Sequence, residues 1–204
     1  MNKPLFVTGI GTGIGKTLIS AILVEKLKAD YWKPIQSGDL DNSDTQKVKS
    51  LVSNTQSIFH QESYRLTQPY SPHKSAALDG ITIDPEEIKL PATNNRLVIE
   101  GAGGLMVPLN DSFLMIDLIK KLDAEVILVS QNYLGSINHT LLSVVALKAN
   151  NIPLKGIIFN GNGDDYTMDY ILKYSNLSSL GHILQLDEVN KKTVANVAEI
   201  LSIS

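Results

Sequence analysis

Cysteine is missing from all 204 residues, which excludes disulfides and thiolate metal sites. No apolar run approaches the roughly 20 residues a membrane-spanning helix needs, so no membrane role is expected. Blocks of like charge are also lacking: 18 lysines and arginines stand against 21 acids, a net charge of −3. Nucleic-acid binding that ignores sequence therefore lacks its usual electrostatic drive. His60, His73, His139 and His182 lack metal-site spacing, and no serine–histidine–aspartate nucleophilic set can be picked out. Internal repeats, low-complexity tracts and domain-scale linkers are missing too. The opening Met-Asn-Lys-Pro runs directly into an apolar strand, so no signal peptide is expected. What remains, at 43% apolar and 19% charged residues, is one globular domain over residues 1–204, expected to be a cytoplasmic enzyme.

The chain does carry a phosphate cradle. Residues 9–17, Gly-Ile-Gly-Thr-Gly-Ile-Gly-Lys-Thr, follow the apolar run Leu5-Phe6-Val7 and lead into an amphipathic stretch. Gly13, Ile14 and Gly15 can aim backbone N–H groups at phosphates, and a helix beginning near Thr17 and Leu18 adds its positive end. Lys16 can reach the β- and γ-phosphates, and the Thr17 hydroxyl can ligate magnesium. The usual motif has glycine five positions before the Gly-Lys-Thr glycine. That position is Ile10, and Gly9 lies one step further out, so the loop is a one-residue-longer variant.

Strand-like and helix-like patterns alternate along the chain. Leu5–Thr8, Tyr31–Lys33, Leu97–Ile99, Val126–Val129 and Gly156–Phe159 read as strands, with a short one near Ile183–Leu186. Thr17–Ala29 reads as a helix with Leu18, Ile19, Ile22, Leu23 and Leu27 on one face. Ser43–Val52, Ile137–Leu147, Tyr166–Tyr174 and Thr193–Leu201 are further helices, and Asp84-Pro85-Glu86-Glu87 is a helix start. Residues 54–84 read as irregular. The pattern predicts an α/β fold: a single P-loop domain, mostly parallel sheet with helices on both faces.

Ligands in such sheets sit beyond the carboxyl ends of the strands, where Lys33, Glu100 and Asn160 fall. Glu100, before Gly101-Ala102-Gly103-Gly104, can hold magnesium or merely cap a turn. Lys33, before Pro34, reads equally as a site cation or a solvated charge. Asp44 stands out from the acidic loop 39–44 because it falls at a helix start. Asn160 offers a donor and an acceptor to a base, and its Asn160-Gly161-Asn162-Gly163 context equally suits a plain turn.

In combination these residues resemble the dethiobiotin synthetase family over nearly the whole chain. The likeness rests on Val7-Thr8-Gly9 with Thr12 and Gly15-Lys16-Thr17, then Lys33-Pro34 with Ser37-Gly38, then Asn42-Ser43-Asp44. Ser71-Pro72-His73, Glu100-Gly101-Ala102-Gly103-Gly104 with Pro108, Leu134-Gly135 with Ile137-Asn138-His139, and Asn160 complete it. The resemblance implies ATP- and Mg²⁺-dependent carboxylation and ring closure of 7,8-diaminopelargonic acid with CO2, giving dethiobiotin, ADP and phosphate. It implies Lys16 and Lys33 as the catalytic cations, and Thr17, Asp44 and Glu100 as metal ligands. Thr12 and Ser37 are implied as substrate contacts, joined by Ser136, Ile137 and Asn138 from the partner subunit of a homodimer. Around the nucleotide it implies Gly13 to Leu18, Asp44, Glu100, Gly101, Ala102, Gly103, Asn160, Gly161 and the segment Leu184-Gln185-Leu186. Three positions depart from the family: Gly11 and Gly13 stand where relatives carry polar or acidic residues, and Leu184 where many carry proline. A partition-type ATPase switch is the rival within the fold, but it wants an extra lysine early in the loop, and residues 9–14 contain none.

Overall fold

The computed structural model describes residues 3–203. Seven parallel strands build the central sheet: β1 (Leu5–Gly9), β2 (Asp30–Trp32), β4 (Phe59–His60), β6 (Leu97–Gly104), β7 (Glu125–Gln131), β8 (Leu154–Asn160) and β9 (Ser179–Ile183). Their spatial order is β4-β2-β6-β1-β7-β8-β9, which places β1 in the middle. All five β1 residues are buried, the reason it reads as a continuous apolar run. Two short strands, β3 (Ile35–Ser37) and β5 (Tyr64–Leu66), pair in parallel beside the main sheet.

Successive strand residues point to opposite faces, and the core divides accordingly. Leu5, Val7, Tyr31, Val98, Ile127, Val129 and Ile158 meet helices α1 (Lys16–Leu27), α2 (Asp44–Leu51) and α7 (Lys191–Ala198). On the other face, Phe6, Trp32, Ile99 and Val126 meet α3 (Pro72–Leu78) and α4 (Met115–Lys121). Leu128, Ile157 and Phe159 there pack under α5 (Ser136–Ala149) and α6 (Asp165–Ser175). The parallel sheet covered by helices on both faces is the expected architecture.

Several local expectations need correction. Helix α1 is buried nearly all round, with Ser20, Ala21 and Val24 inside beside Ile19, Ile22 and Leu23. It lies between the sheet on one side and α2 and α7 on the other. Strand β6 does not stop at Ile99; it continues through the glycines, with Gly104 opposite Gly9. The Asp84 cap is present, its side chain accepting from Glu86 N, but it starts a three-residue 3-10 turn, Pro85–Glu87. The chain turns inward at once because Ile83 and Ile88 on either side are fully buried. The strand expected at Ile183–Leu186 lies earlier, as β9, and Leu184 to Leu186 follow its end. Residues 54–84, expected to be irregular, contain β4, β5 and α3.

Candidate active site

The loop between β1 and α1 opens onto a cleft of about 790 Å³ at the carboxyl ends of β1, β2 and β6. Gly9 and Gly15 show why this loop demands glycine. A side chain on Gly9 would lie 2.2 Å from Ile14 Cδ1, so Gly9 takes the first glycine's place in the longer loop. Gly15 has φ +89°, and a Cβ there would stand 2.1 Å from Asn160 Nδ2. Ile14, 4% exposed, plugs the base of the loop. The helix dipole and the first N–H groups of α1 therefore face the cleft.

Four charged groups meet there. Lys33 Nζ donates to Asp44 Oδ2 at 2.5 Å and to Glu100 Oε1 at 3.1 Å. Thr17 Oγ1 donates to Glu100 Oε1 at 2.9 Å. Lys16 Nζ reaches back to the Gly11 carbonyl at 2.8 Å. Burial pushes the Lys16 ammonium down to about 8, against the attraction of Glu100. Burial works the same way on Lys33, but the Glu100 and Asp44 carboxylates outweigh it and leave its pKa raised. Burial would raise Asp44, and the charge and hydrogen bond of Lys33 instead hold it below the usual carboxylate range. Two cations and two carboxylates thus meet with Lys33 and Glu100 almost wholly buried, where charges are screened less than in bulk water.

Local structure fixes each member. Ser43 caps α2 through a capping box with Gln46, which sets Asp44 as the first helical residue. The Asp44 N–H donates to Gln36 Oε1 at 3.2 Å. Next along, Thr45 Oγ1 donates to the buried Glu62 at 2.6 Å, and Arg65 joins Glu62 to the Leu40 carbonyl. Thr12, Gly13, Ser37, Gly101, Ala102 and Gly103 line the cleft. The Ser37 Oγ, on the cleft wall, is buried and has no protein partner.

Asn160 ends β8, and its Nδ2 donates to the Ile14 carbonyl at 2.8 Å. Gly161 N donates to the Ile183 carbonyl at 2.7 Å, which brings Leu184, Gln185 and Leu186 beside Asn160 at neighbouring strand ends. Leu184 is exposed and Leu186 packs on the core. Leu18 lies half-buried on the flank of α1. Ser136, Ile137 and Asn138, by contrast, do not join the phosphate cleft. They open α5 and line a separate hollow with Asn132 and Leu134. The first helical bond of α5 is His139 N to Gly135 O, so the N–H groups of Ile137 and Asn138 precede its ladder.

The match to known proteins is extensive. A model of the AAA domain family fits residues 3–193. The ATP-dependent dethiobiotin synthetase BioD of Christiangramia forsetii is 53% identical over 199 residues, covering 98% of this chain and 96% of its own. That of Cytophaga hutchinsonii is 48% identical over 197 residues, with 96% and 95% covered. The chain belongs to the ATP-dependent dethiobiotin synthetase family. Among solved structures, a ParA family ATPase from Chlorobium tepidum superposes with TM-score 0.59 at 16% identity, over 97% of this chain and 98% of that one. The septum site-determining protein MinD of Pyrococcus horikoshii, complexed with Mg-ADP, gives 0.58 at 14%, over 98% and 95%. At such identities these likenesses show the fold alone. The synthetase family and the partition-type ATPases share an architecture and differ in the residues mounted on it.

Sequence reasoning missed Tyr31, which donates to the Glu100 carboxylate, Gln36, which accepts from the Asp44 N–H, and the Glu62–Arg65 pair that ties Thr45 and Leu40 beside it. Gln36 and Tyr31 carried a usable signal: each lies within a few residues of Lys33 on a strand. Glu62 and Arg65 carried none, because the segment containing them reads as loop.

Proposed function

We propose that this chain closes the ureido ring of dethiobiotin from 7,8-diaminopelargonic acid, CO2 and ATP, releasing ADP and phosphate. One observation carries the reading. Lys33, Asp44, Glu100 and Thr17 converge within hydrogen-bond reach at the phosphate loop, beside the unpartnered Ser37 hydroxyl. A simple nucleotide-binding module has no use for a second buried lysine facing a second small-molecule subsite.

Thr17, Glu100 and Asp44 are oxygen donors suited to Mg²⁺, which takes one or two carboxylates plus substrate phosphates. When bound, Mg²⁺ would neutralise charge on the β- and γ-phosphates. The protein's own residues do the rest. The loop N–H groups and Lys16 hold the triphosphate. Ser37 and Thr12 orient the diamine, one of whose amines captures CO2 as a carbamate. Lys33 stands between that carbamate and the transferred phosphoryl and steadies negative charge on both. The carbamate oxygen attacks the γ-phosphorus to give a mixed anhydride and ADP. The second amine then attacks the carbonyl carbon and phosphate departs. Positioning supplies much of the acceleration, because both nucleophiles belong to one bound molecule.

The active unit is a homodimer in this reading. Leu142 and Val145 of α5 are each 58% exposed and Met106 is 64% exposed. With Thr12 and Val107, Leu142 and Met106 border one groove of about 420 Å³ that adjoins the phosphate loop. A second copy seated there would bring its Ser136–Asn138 turn toward the substrate tail, whose carboxylate suits a helix N-terminus. Among the described residues no helix is long and apolar enough to cross a membrane.

The test is a mass-spectrometric assay with the diamine, bicarbonate, Mg²⁺ and ATP. The expected result is dethiobiotin formed in step with ADP. ATP hydrolysis that ignores the diamine would support a nucleotide switch instead.

A further inference from the structure

Glu100 is a carboxylate set into the interior of a strand, 1% exposed, with its two oxygens facing different surroundings. Oε1 looks into the cleft and accepts from Thr17 and Lys33. Oε2 looks back into the sheet and accepts from the Tyr31 hydroxyl at 2.8 Å. The strand register explains that contact. In the parallel β2–β6 pair, Tyr31 stands opposite Val98. The period of two then puts Tyr31, Val98 and Glu100 on one face, with Glu100 the diagonal neighbour an aromatic side chain can span. Tyr31 itself is fully buried, and its ring packs beside Phe59 at 6.3 Å between centroids. The donor is therefore held rigidly by the core.

We propose that Tyr31 is a positioning residue that fixes the rotation of the Glu100 carboxylate and so presents Oε1 to the metal ion of the bound nucleotide. The inference rests on the reading of Glu100 as a metal ligand given above. The terminal torsion of a glutamate is broad and nearly two-fold. Without a tether on Oε2, both oxygens can turn toward Lys33, and an ion must recapture one of them. With the tether, Oε1 is in place beside the Thr17 hydroxyl before the ion arrives. Partners that orient a ligating carboxylate typically change metal affinity by about 10- to 100-fold when removed.

The inference is tested on the full-length protein by calorimetric titration of Mn²⁺ into the ADP complex, alongside ADP titrations in EDTA. The variants are Tyr31→Phe, Tyr31→Leu and Glu100→Gln. Tyr31→Phe keeps the ring and its packing; Tyr31→Leu supplies a second donor-free variant should the first fold poorly. Both are expected to weaken Mn²⁺ binding at least about ten-fold, with ADP affinity in EDTA within about two-fold of wild type. Glu100→Gln should weaken Mn²⁺ binding as much or more. A merely structural hydroxyl would lower the unfolding temperature and leave Mn²⁺ affinity alone. If Glu100→Gln loses the ion while both Tyr31 variants hold it as tightly as wild type, the positioning role is overturned and the ligand reading stands. If Glu100→Gln also binds Mn²⁺ normally, the ligand reading falls and this inference with it.

Discussion

Replacing Lys16 by methionine should make the free protein more stable and the enzyme inactive. Lys16 is 7% exposed, and loss of water around its ammonium is the largest influence on it. Glu100 and Asp44 attract the charge, Lys33 repels it, and the pKa settles at about 8, against the ordinary 10.5. Between those two values the unfolded chain binds more protons than the folded one, so stability rises with pH through that window. Below it the destabilisation is complete. At about 1.4 kcal/mol per pH unit, the fall from 10.5 to about 8 corresponds to about 3 kcal/mol. Methionine keeps the length of the side chain and removes the charge. Lys16→Met should therefore resist urea better than wild type by about 3 kcal/mol at pH 7, and the gap should close between pH 8 and about 10. Lys33 and Tyr31, whose pKa values are both raised, are present in both proteins, so they largely cancel in the difference.

Nucleotide reverses the balance, because a triphosphate beside the ammonium favours its charged form. At pH 8 about half of Lys16 is neutral in the free protein, so ATP binding should take up about half a proton per site. That uptake appears as a calorimetric enthalpy that varies with the ionisation heat of the buffer, and it should vanish in Lys16→Met. Turnover should fall by about 100- to 1,000-fold, the range for losing one donor to developing charge. Equal stability of the two proteins at pH 7, or a stability gap that stays constant from pH 7 to 10, would refute the argument.

Four further outcomes are expected. Lys33→Gln should lower product formation at least about 100-fold while calorimetric ATP affinity changes little; a large loss of affinity with unchanged turnover would reverse the assignment. Asp44→Asn should raise the Mg²⁺ concentration for half-maximal rate about ten-fold or more, and an unchanged metal dependence would leave Asp44 as the Lys33 partner and an ordinary first-turn acid of α2. Asn160→Ala should weaken ATP use and narrow the preference for ATP over CTP and GTP, whereas an unaltered ranking by kcat/KM would leave Asn160 as a turn and loop-bracing residue. Leu142→Lys on the exposed face of α5 should shift sedimentation toward monomer and reduce activity with the diamine; a fully active monomer would sink the dimer reading.

The parts of the site that were legible lie at the ends of long, buried strands. Leu5–Val7, Leu97–Ile99 and Ile157–Phe159 are apolar on both faces, because helices cover both sides of a parallel sheet. Such runs are unmistakable, and they point to Lys16, Thr17, Glu100 and Asn160 at or just after them. The illegible parts are short or mixed. Strand β4 has two residues and β3 and β5 have three each, too few for any period to show. Strand β9 hides because Gly181 and His182 interrupt its apolar pattern, which moved the expected strand onward to Ile183–Leu186.

Asn160 shows where spacing alone stops being informative. Its position after β8 fits both a base-reading residue and the first residue of a turn, and the sequence gives the same letters for each. The fold adds a third partner. The amide donates one hydrogen to Ile14, across the very point where Gly15 has no room for a side chain. An asparagine amide has two hydrogens and a carbonyl oxygen. One hydrogen spent on Ile14 leaves a donor and an acceptor for adenine, and fixes the plane in which they are offered. The contact that braces the phosphate loop leaves the rest of the amide free to read a base and would fix its plane. A substitution at Asn160 should therefore disturb both ends of the nucleotide, the base directly and the phosphates through Ile14 and Gly15.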